Sequence, residues 1–418
     1  MKFIHAADIH LDSPLSGLSA YQDAPTDLLR TATRDAFSNL VGEAIDEAVD
    51  FVIIAGDLYD GNWKDYNTGV FFSREMGRLH AASIPVFLIY GNHDAESEMT
   101  RKLSLPANVT AFASNRAHTL RLDHLKVALH GQSFKHAATT DNLAADYPPR
   151  VDGWLNIGVL HTALEGYAAH ASYAPCSLAE LLAKGYDYWA LGHVHEHAVL
   201  HTEPWIVFPG NLQGRHIRET GARGAILVTA DEDRIVSVER ICTDVLRWHR
   251  LEVDVSAADD LATAVRCVSR KFSTLLETAQ DGRPMAVRVV LNGRSTAHGD
   301  LFGNEAQLRA EILSLAASLA GDRAWIEKVR VETTPVFDAA AVRARADAIA
   351  DLQSLLDLAP ADPALLAALT EELRYLADIT PHELSDALPQ LKAIRNGEVG
   401  AIIESVVPGL IAYLIKAG

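Results

Sequence analysis

The sequence is poor in cysteine, in long apolar runs and in signals for export. Its 418 residues include three cysteines, Cys176, Cys242 and Cys267, which form no Cys-x-x-Cys pair, so neither a disulfide framework nor a thiolate zinc site is expected. No apolar run approaches the ~20 residues that a membrane helix needs. Polar residues at the start interrupt the apolar segment of a signal peptide. We therefore expect a cytoplasmic protein without membrane-spanning segments.

The chain also lacks a basic segment. Its formal net charge is −18 at pH 7, divided as −12 over residues 1–245, 0 over 246–335 and −6 over 336–418. This distribution gives no general electrostatic footprint for nucleic acid. Bound divalent cations would offset part of the first deficit. Affinity for a polyanion would have to come from such metals, from a local arginine cluster or from a partner.

What is present is material for a large core, since 49% of the residues are hydrophobic. Strands alternate with helical stretches over residues 1–245, which predicts an α/β domain. A βαβαβ pattern over residues 246–335 predicts a small α+β module, and residues 336–418 are helical, with breaks at Pro360–Pro363 and Thr380-Pro381. We also predict a strand over Leu122–Leu129.

Polar side chains that can bind metal follow five of the predicted strands. The central example is Phe51–Ala55, an apolar run that ends at Gly56 and presents Asp57. Ligands of open α/β sheets bind beyond the carboxyl ends of the strands, so these side chains should converge on one site. The set comprises Asp8, His10, Asp57, Asn92, His93, Asp94, His161, His193 and His195.

The ligand types indicate the metal class. Asp, Asn and His without Cys favour Mn²⁺, Fe²⁺ or Zn²⁺. Asp57 is the natural bridge between two ions, which such sites hold ~3.5–4 Å apart. We assign one ion to Asp8, His10 and His195, and the other to Asn92, His161 and His193. His193 and His195 are predicted to share one side of an extended segment.

A pair of divalent ions suits phosphoester hydrolysis. The ions lower the pKa of a shared water and neutralise the phosphoryl oxygens during in-line attack. The leaving oxygen then needs a proton, and His93 is the candidate general acid because Asn92 takes the ligand role beside it. Asp94 could orient the His93 imidazole and keep it protonated.

Each signal also has a simpler explanation. A single histidine at a strand end is more often structural, and among the 18 histidines we interpret His130, beside a glycine turn, in this way. The glycine-rich loop from Pro209 to His216 could hold phosphates through Arg215, or it could be a turn between sheets. Tyr59 and Trp63 could stack on a base, although packing is the commoner role. The ordered set of metal-binding motifs is much harder to explain as packing.

These motifs, in the form Asp8-Ile9-His10, Gly56-Asp57-Leu58-Tyr59-Asp60, Gly91-Asn92-His93-Asp94, His161 and Gly192-His193-Val194-His195, resemble the calcineurin-like metallophosphoesterases. Within that superfamily, residues 5–14 and the loop 209–215 resemble the SbcD-type DNA double-strand-break repair nucleases, in the YhaO-like branch. The resemblance implies a four-layer α/β/β/α sandwich, an α+β capping domain, two Mn²⁺ on the predicted ligands, and His93 as the catalytic histidine.

The resemblance also implies partners. The substrate would be DNA ends or single-stranded DNA, with Asp60, Arg215 and His216 as candidate contacts, and the helical region 336–418 would dock an SMC-type coiled-coil ATPase. Asp60 departs from family members that carry a histidine there, which weakens the case for a phosphate contact. The oligomeric state is open, and a homodimer is one option.

Three functions therefore compete. The first is a two-metal DNA nuclease in DNA repair, using a metal-bridging hydroxide. The second is a metallophosphodiesterase or phosphatase acting on a small nucleotide or another phosphoester. The third is a non-catalytic scaffold subunit. This hypothesis predicts that at least one metal ligand is missing, whereas the sequence contains all of the predicted ligands.

Overall fold

The computed structural model describes residues 1–17, 25–60, 66–96, 105–164, 173–231, 234–279, 281–336, 342, 344, 347–380 and 389–417. Their contacts divide the chain into two compact units, Met1–His249 with Arg283–Ala286, and Arg250–Gly282 with Val287–Gly418. The boundaries predicted at residues 245 and 335 make a finer division, which stays a prediction.

The first unit consists of two mixed sheets and the helices that cover them. Its strands are β1 (Lys2–Ala6), β2 (Phe51–Ala55), β3 (Val86–Ile89), β4 (Val109–Ala111), β5 (His118–Leu122), β6 (Val127–Gly131), β7 (Leu155–His161), β8 (Tyr188–Gly192), β9 (Ala198–Thr202), β10 (Trp205–Phe208), β11 (Gly224–Asp231) and β12 (Arg234–Cys242). Its helices are α1 (Thr26–Asp46), α2 (Tyr66–Ala81), α3 (Asn92–Glu96) and α4 (Leu178–Ala183), with a 3-10 turn at Leu143–Asp146.

Each sheet has six strands. The first has the order β12-β11-β1-β2-β3-β4 and the second β5-β6-β7-β8-β10-β9. The central strands β1 to β4 are parallel, as are β6, β7, β8 and β10, while β11, β12, β5 and β9 pair antiparallel with their neighbours. The parallel strands of each sheet therefore end at one common edge, where their loops can form a site.

Alternating side chains of the strands build separate cores. Ile53 packs with Ile157 of the second sheet in a cluster between the two sheets. Ile54, which faces the other way because side chains alternate along a strand, packs instead with Phe37 of α1 and Phe72 of α2. Both faces of the first sheet are thus buried.

The outer face of the second sheet is covered as well. Trp189 of β8 is fully buried in a third cluster with Leu181 of α4 and Tyr147, which follows the 3-10 turn. Helices, sheet, sheet and helices therefore make four layers. The predicted α/β/β/α sandwich is confirmed.

One predicted strand is wrong. Leu122–Leu129 is not continuous, because β5 and β6 form an antiparallel hairpin around residues 123–126. Lys126 in this turn has a φ of +54°. Leu125 lies in the turn, outside both strands, but it is apolar because it packs against the core between the sheets. The apolar run therefore continues through the turn and resembles a single strand.

The second unit contains most of a three-stranded sheet and the remaining helices. The strands are β13 (Arg247–Asp254), β14 (Met285–Ser295) and β15 (Ala324–Pro335), in that order across the sheet. The helices are α5 (Leu261–Thr278), α6 (His298–Gly303), α7 (Glu305–Ala320), α8 (Ala348–Leu358), α9 (Pro363–Ile379), α10 (Pro389–Arg395) and α11 (Val399–Ala417), with 3-10 turns at Gly321–Arg323 and Ala359–Ala361.

The predicted βαβαβ order and the helical C-terminal region are both confirmed. Helix α5 begins at Leu261 because the Asp260 carboxylate accepts the backbone N–H of Thr263 at 2.7 Å and caps the helix there. The predicted break at Pro360–Pro363 separates α8 from α9, whose first turn is capped by Asp362. Among the described residues, no helix is both long and apolar enough to cross a membrane.

Candidate metal centre

The predicted ligands lie where the parallel strands of both sheets end. Asp8 and His10 follow β1, Asp57 follows β2, and His161 is the last residue of β7. The backbone is left-handed at Asp8 (φ +51°), His10 (+46°), Asp57 (+52°) and His193 (+100°). Non-glycine residues adopt this conformation at a cost in free energy, and they concentrate at functional sites.

Glycines next to the ligands make room for them. A Cβ on Gly91 would lie 2.3 Å from Oδ1 of Asp57, and one on Gly192 would lie 1.9 Å from the carbonyl oxygen of Ala55. Gly56 has a φ of +94°. The Gly-Asp, Gly-Asn and Gly-His pairs of the motifs are therefore steric requirements of this site.

Asp8, His10 and His195 form the first group of ligands. Their ligand atoms lie within 4.8 Å of one another, and Nε2 of His10 is 3.2 Å from Nε2 of His195. Burial, and then the charge of Arg215, lowers the pKa of His10 to about 3, whereas burial raises the pKa of Asp8 to about 6. His10 is therefore neutral near pH 7, which is the form that binds a metal.

Asp57, His161 and His193 form the second group, again within 4.8 Å. Oδ1 of Asn92 lies 3.0 Å from Nε2 of His161, which places Asn92 with this group. Nδ1 of His161 lies 2.9 Å from the carbonyl oxygen of Ala55, so Nε2 is the nitrogen that points at the ligands. The structure thus brings the predicted ligands together in the two predicted groups.

Asp57 lies between the groups. Its Oδ2 is 3.4 Å from Nε2 of His161 and 4.0 Å from Nε2 of His10. Burial alone would raise the pKa of Asp57, but His161 and His10 outweigh that effect and hold it well below its usual range. In return, Asp57 raises the pKa of His161 to about 9 against the effect of burial. If two ions were bound, Asp57 would be the residue within reach of both.

His193 and His195 reach different groups for a reason that differs from the predicted one. The segment is not extended, because the chain turns at His193 after β8 ends at Gly192. The backbone N–H of His193 donates to both carboxylate oxygens of Asp8, at 3.1 and 3.0 Å. This turn directs the two side chains to neighbouring groups.

His93 lies beside the centre with part of its side chain exposed. Its ring is 5.0 Å from that of His10, and its backbone N–H donates to Oδ1 of Asp57 at 3.0 Å. The carboxylate that faces its Nδ1 is Asp60, at 3.5 Å. His93 is therefore close enough to the ligands to act on a substrate held there.

Asp94 does not take the predicted place beside the His93 imidazole. Its two carboxylate oxygens accept the backbone N–H groups of Leu58, Tyr59 and Gly91, at 2.9 to 3.2 Å. Asp94 therefore ties the loops after β2 and β3 together. The acidic residue next in sequence was the simplest candidate, but the fold brings in Asp60 instead.

Asp60 forms a third cluster with His10 and His93. Its Oδ1 lies 3.5 Å from Nδ1 of His10 and 3.8 Å from Nη1 of Arg215. Hydrogen bonding with His10 lowers the pKa of Asp60 despite its partial burial. A charged carboxylate is a poor phosphate contact, so this position suits the orientation of the imidazoles better than the predicted contact with substrate.

The loop from Pro209 brings Arg215 and His216 to the same side. Nη1 of Arg215 donates to Oγ of Ser13 at 3.0 Å, and Nε2 of His216 lies 3.7 Å from Oε1 of Glu219. Glu219 also lies 2.7 Å from Nδ1 of His195. Glu219 was not predicted, although its place three residues after His216, in an otherwise basic loop, is a signal that could have indicated it.

His130 and Tyr59 have structural roles, as expected from the sequence. His130 lies between Thr119 and Asn156, at 2.9 and 3.1 Å, inside the second sheet. Tyr59 is 1% exposed and packs in the core of the first sheet. Trp63 is outside the described residues.

The residues fit a pair of divalent ions. The donor set of two carboxylates, one amide and four imidazoles suits borderline metals. Asp8 and Asp57 are 0% and 1% exposed, and a buried carboxylate is costly unless it is paired or bound to a metal. A four-layer sandwich with this donor set at the strand ends defines a metallophosphoesterase.

The comparisons with known proteins agree with this class. The model of the calcineurin-like phosphoesterase family matches residues 1–197, and that of the middle domain of metallophosphoesterase YhaO matches residues 248–334. The chain is 35% identical over 297 residues to the metallophosphoesterase YhaO of Bacillus subtilis, covering 70% of this chain and 72% of that protein.

Two further proteins are more distant relatives. Identity to the DNA double-strand break repair protein Mre11 of Sulfurisphaera tokodaii is 24% over 306 residues, 70% of this chain and 74% of that protein. Identity to the protein of the same name from Methanopyrus kandleri is also 24%, over 57% of this chain and 56% of that protein. The chain belongs to the YhaO family of calcineurin-like metallophosphoesterases.

Proposed function

We propose that this phosphoester hydrolase is a two-metal DNA nuclease that acts on DNA ends or single-stranded DNA during DNA repair. The observation that carries the proposal is a cavity of about 1110 Å³ next to the centre, lined by three arginines and by Asp60. Asp60 also belongs to the cluster with His10 and His93. The cavity therefore shares a wall with the metal centre.

The cavity provides the local arginine cluster that an acidic chain needs to bind a polyanion. It lies between α1 and α2, and its arginines are Arg30, Arg34 and Arg74. Arg34 and Arg74 each lie 5.2 Å from the ring of Phe71. Arg34 is held by Asp12 through two bonds of 2.5 and 2.6 Å, whereas Arg30 and Arg74 are largely exposed. Arg30 and Arg74 therefore present their guanidinium groups to solvent, and arginine forks suit phosphate oxygens.

The chain's own residues can support hydrolysis of a phosphodiester at this place. When bound, two divalent ions, for which we propose Mn²⁺, would supply a nucleophilic water and neutralise the phosphoryl oxygens. Asp57 would join the two ligand groups, and His161 is fixed by Ala55. His93, which is partly exposed and faces Asp60, would donate the proton that the leaving oxygen needs.

The relatives support the DNA substrate. Two of them are DNA double-strand break repair proteins, and one matches over 70% of this chain. Since the two-metal centre alone would serve many phosphoesters, these relatives and the arginines together favour DNA over a small ester.

We further propose an SMC-type coiled-coil ATPase as a partner of the helical C-terminal region. Leu355 and Leu358 on α8 are 67% and 69% exposed, and Tyr375 and Ile379 on α9 are 69% and 61% exposed. Residues three or four apart share a helix face, so each pair offers apolar area to a partner. Co-elution of the purified ATPase with the wild type, and its loss in Leu358→Asp and Tyr375→Asp, would test the interaction.

One observation favours the second candidate, a phosphodiesterase or phosphatase acting on a small nucleotide or another phosphoester. The cavity contains as many carboxylates as arginines, because Asp12, Asp35 and Asp60 also line it. A small substrate would need less positive charge than a DNA strand. The scaffold hypothesis predicts an incomplete ligand set, whereas the described residues include all the predicted ligands in one site.

One assay separates the candidates. The purified protein with Mn²⁺ is offered single-stranded DNA, duplex ends and bis-nitrophenyl phosphate, beside His93→Ala and the exposed control His124→Ala. DNA cleavage that His93→Ala abolishes and His124→Ala preserves is the expected result. Hydrolysis of the small ester alone would support the second candidate, and inactivity towards every substrate would support the scaffold.

A further inference from the structure

Glu219 is a buried carboxylate that accepts hydrogen bonds from three residues, His195, Asn211 and Arg215. It is 5% exposed. Oε1 lies 2.7 Å from Nδ1 of His195, while Oε2 accepts the backbone N–H of Arg215 at 2.6 Å and Nδ2–H of Asn211 at 3.0 Å. A carboxylate with this many short contacts determines where each of its donors lies.

The contact with His195 decides which ring nitrogen can bind a metal. An ionised carboxylate can only accept a hydrogen bond. A neutral His195 therefore carries its proton on Nδ1, which donates to Glu219, and its lone pair on Nε2. Nε2 is the nitrogen that faces His10, at 3.2 Å. A carboxylate behind a metal-binding imidazole holds the ring in place and makes the nitrogen ligand more basic.

The contacts between Glu219 and Arg215 position a cation beside the centre. With its backbone N–H held by Glu219, the guanidinium of Arg215 extends over the site to Ser13, and its Nη2 lies 3.6 Å from Oε1 of Glu219. The same carboxylate therefore fixes one predicted metal ligand and one cation that faces the centre.

We propose that Glu219 is a positioning residue that holds His195 in its metal-binding tautomer and holds Arg215 over the centre. The inference rests on the two-metal centre proposed above. It predicts that removal of Glu219 weakens one ion selectively, the one assigned to Asp8, His10 and His195. The ion assigned to Asn92, His161 and His193 keeps its affinity because Glu219 contacts none of these three residues.

The loop has other anchors, so the role of Glu219 can be separated from folding. Gln213 donates from Nε2 to the carbonyl oxygen of Leu246 at 2.6 Å and accepts the N–H of Val245 at 2.8 Å. Trp248 donates to the carbonyl oxygen of Gly214 at 2.8 Å. These bonds do not involve Glu219, and they hold Gln213 and Gly214 in place.

The first experiment measures metal binding and tautomer without any substrate. Mn²⁺ is titrated calorimetrically into metal-free wild type, Glu219→Ala, Glu219→Gln and Glu327→Gln, the last being a matched loss of another buried carboxylate, which pairs with Arg288. We expect one ion to bind about 10 to 100 times more weakly in Glu219→Ala. The loss of affinity should be smaller in Glu219→Gln, which keeps one acceptor oxygen, and Glu327→Gln should lose no affinity.

The tautomer of His195 is measured separately. Nitrogen-15 spectra of labelled histidines, with His195→Gln for assignment, should show Nδ1–H at His195 in the wild type and a tautomer mixture in Glu219→Ala.

The second experiment follows turnover of bis-nitrophenyl phosphate, which needs no DNA activity. Glu219→Ala should recover much of its kcat when Mn²⁺ is raised in proportion to its weaker affinity, but its KM should stay high because Arg215 is no longer held. Two ions bound at wild-type affinity with an unchanged tautomer in Glu219→Ala would overturn the proposal. If DNA is not cleaved while these metal and tautomer effects appear, the proposed nuclease function fails and the role of Glu219 stands.

Discussion

Oδ2 of Asp57 lies 3.4 Å from Nε2 of His161, and this pair joins the two sheets of the first unit at the ends of β2 and β7. Each residue changes the charge state of the other, since Asp57 raises the pKa of His161 and His161 helps to hold that of Asp57 low. A carboxylate that also lies 4.0 Å from His10 affects both ligand groups. The loss of one charge should therefore affect both ions.

The first prediction concerns Asp57→Asn, which keeps the size of the side chain and removes its charge. We expect metal content to fall from two ions per chain to one or none, because the amide cannot bridge the groups as a carboxylate does. Elemental analysis of the purified variant measures this. Asp123→Asn, in the exposed turn between β5 and β6, should still bind two ions, and an Asp57→Asn protein with full metal content would contradict the assignment.

The second prediction concerns the space beside Asp57. A Cβ on Gly91 would lie 2.3 Å from Oδ1 and 2.8 Å from the backbone nitrogen of Asp57. Gly91→Ala should therefore displace the Asp57 carboxylate. A displacement of about 1 Å costs roughly 100-fold in kcat/KM. Circular dichroism should show the fold retained. Steady-state hydrolysis of bis-nitrophenyl phosphate measures the loss.

Gly77→Ala is the matched control for this prediction. Gly77 is an exposed residue of α2, and a Cβ there would meet nothing within 4 Å. This change should leave activity unaltered and raise the free energy of unfolding by about 0.5–1 kcal/mol. Equal activity in Gly91→Ala and Gly77→Ala would mean that the carboxylate does not need its present position.

The predictions that succeeded from sequence depend on local patterns. Apolar runs such as Phe51–Ala55 predict strands, and the Gly-Asp and Gly-Asn pairs predict where a strand ends and a ligand begins. Because the parallel strands of one sheet end at a common edge, the convergence of Asp8 and Asp57 follows from topology alone. His161 joins them because the second sheet brings the end of β7 to the same place.

The failures are contacts between segments that no local pattern connects. Asp94 was paired with His93 because they are adjacent, but the loop geometry gives that position to Asp60. Glu219 reaches His195 only because the loop after β10 folds back over the site. The turn at His193 depends on its left-handed backbone, which is uncommon for residues other than glycine.

The third prediction tests the path proposed for DNA. Arg30→Glu and Arg74→Glu should raise KM for single-stranded DNA and lower the salt dependence of binding by about 0.7 in log–log slope for each phosphate that the protein no longer neutralises. Neither change should alter hydrolysis of bis-nitrophenyl phosphate, which is too small to reach along the cavity. Cleavage rates over a range of salt concentrations measure both effects.

Arg234→Glu is the control for charge alone. Arg234 begins β12 and lies opposite Asp231, at the end of β11, in the strand register. This end of β11 is near Lys2, so Arg234 lies at the opposite end of the strands from the metal centre. If Arg234→Glu weakened DNA binding as much as Arg30→Glu and Arg74→Glu did, the effect would reflect net charge, and the cavity would lose its assigned role.

The fourth prediction is a pH dependence of stability that arises from His130. Burial lowers the pKa of His130 to about 4, against the opposing hydrogen bond with Asn156, while in the unfolded chain its pKa is ~6.5. The folded state therefore keeps His130 neutral. Its contribution to stability is complete above pH 6.5, and it is lost as the pH falls towards 4, because the unfolded chain takes up the proton first.

The loss that His130 causes over this range should be on the order of 1–3 kcal/mol. It is measured as the difference in pH dependence of the urea unfolding midpoint between wild type and His130→Gln, with the exposed His124→Gln as control. His5, whose pKa burial lowers to about 3, acts in the same direction in all three proteins and so cancels in the comparison. His130→Gln should be less stable at pH 7 but should lose less stability on acidification. Parallel pH profiles for wild type and His130→Gln would mean that His130 is protonated equally in the folded and unfolded chains, contrary to its position between Thr119 and Asn156 inside the second sheet.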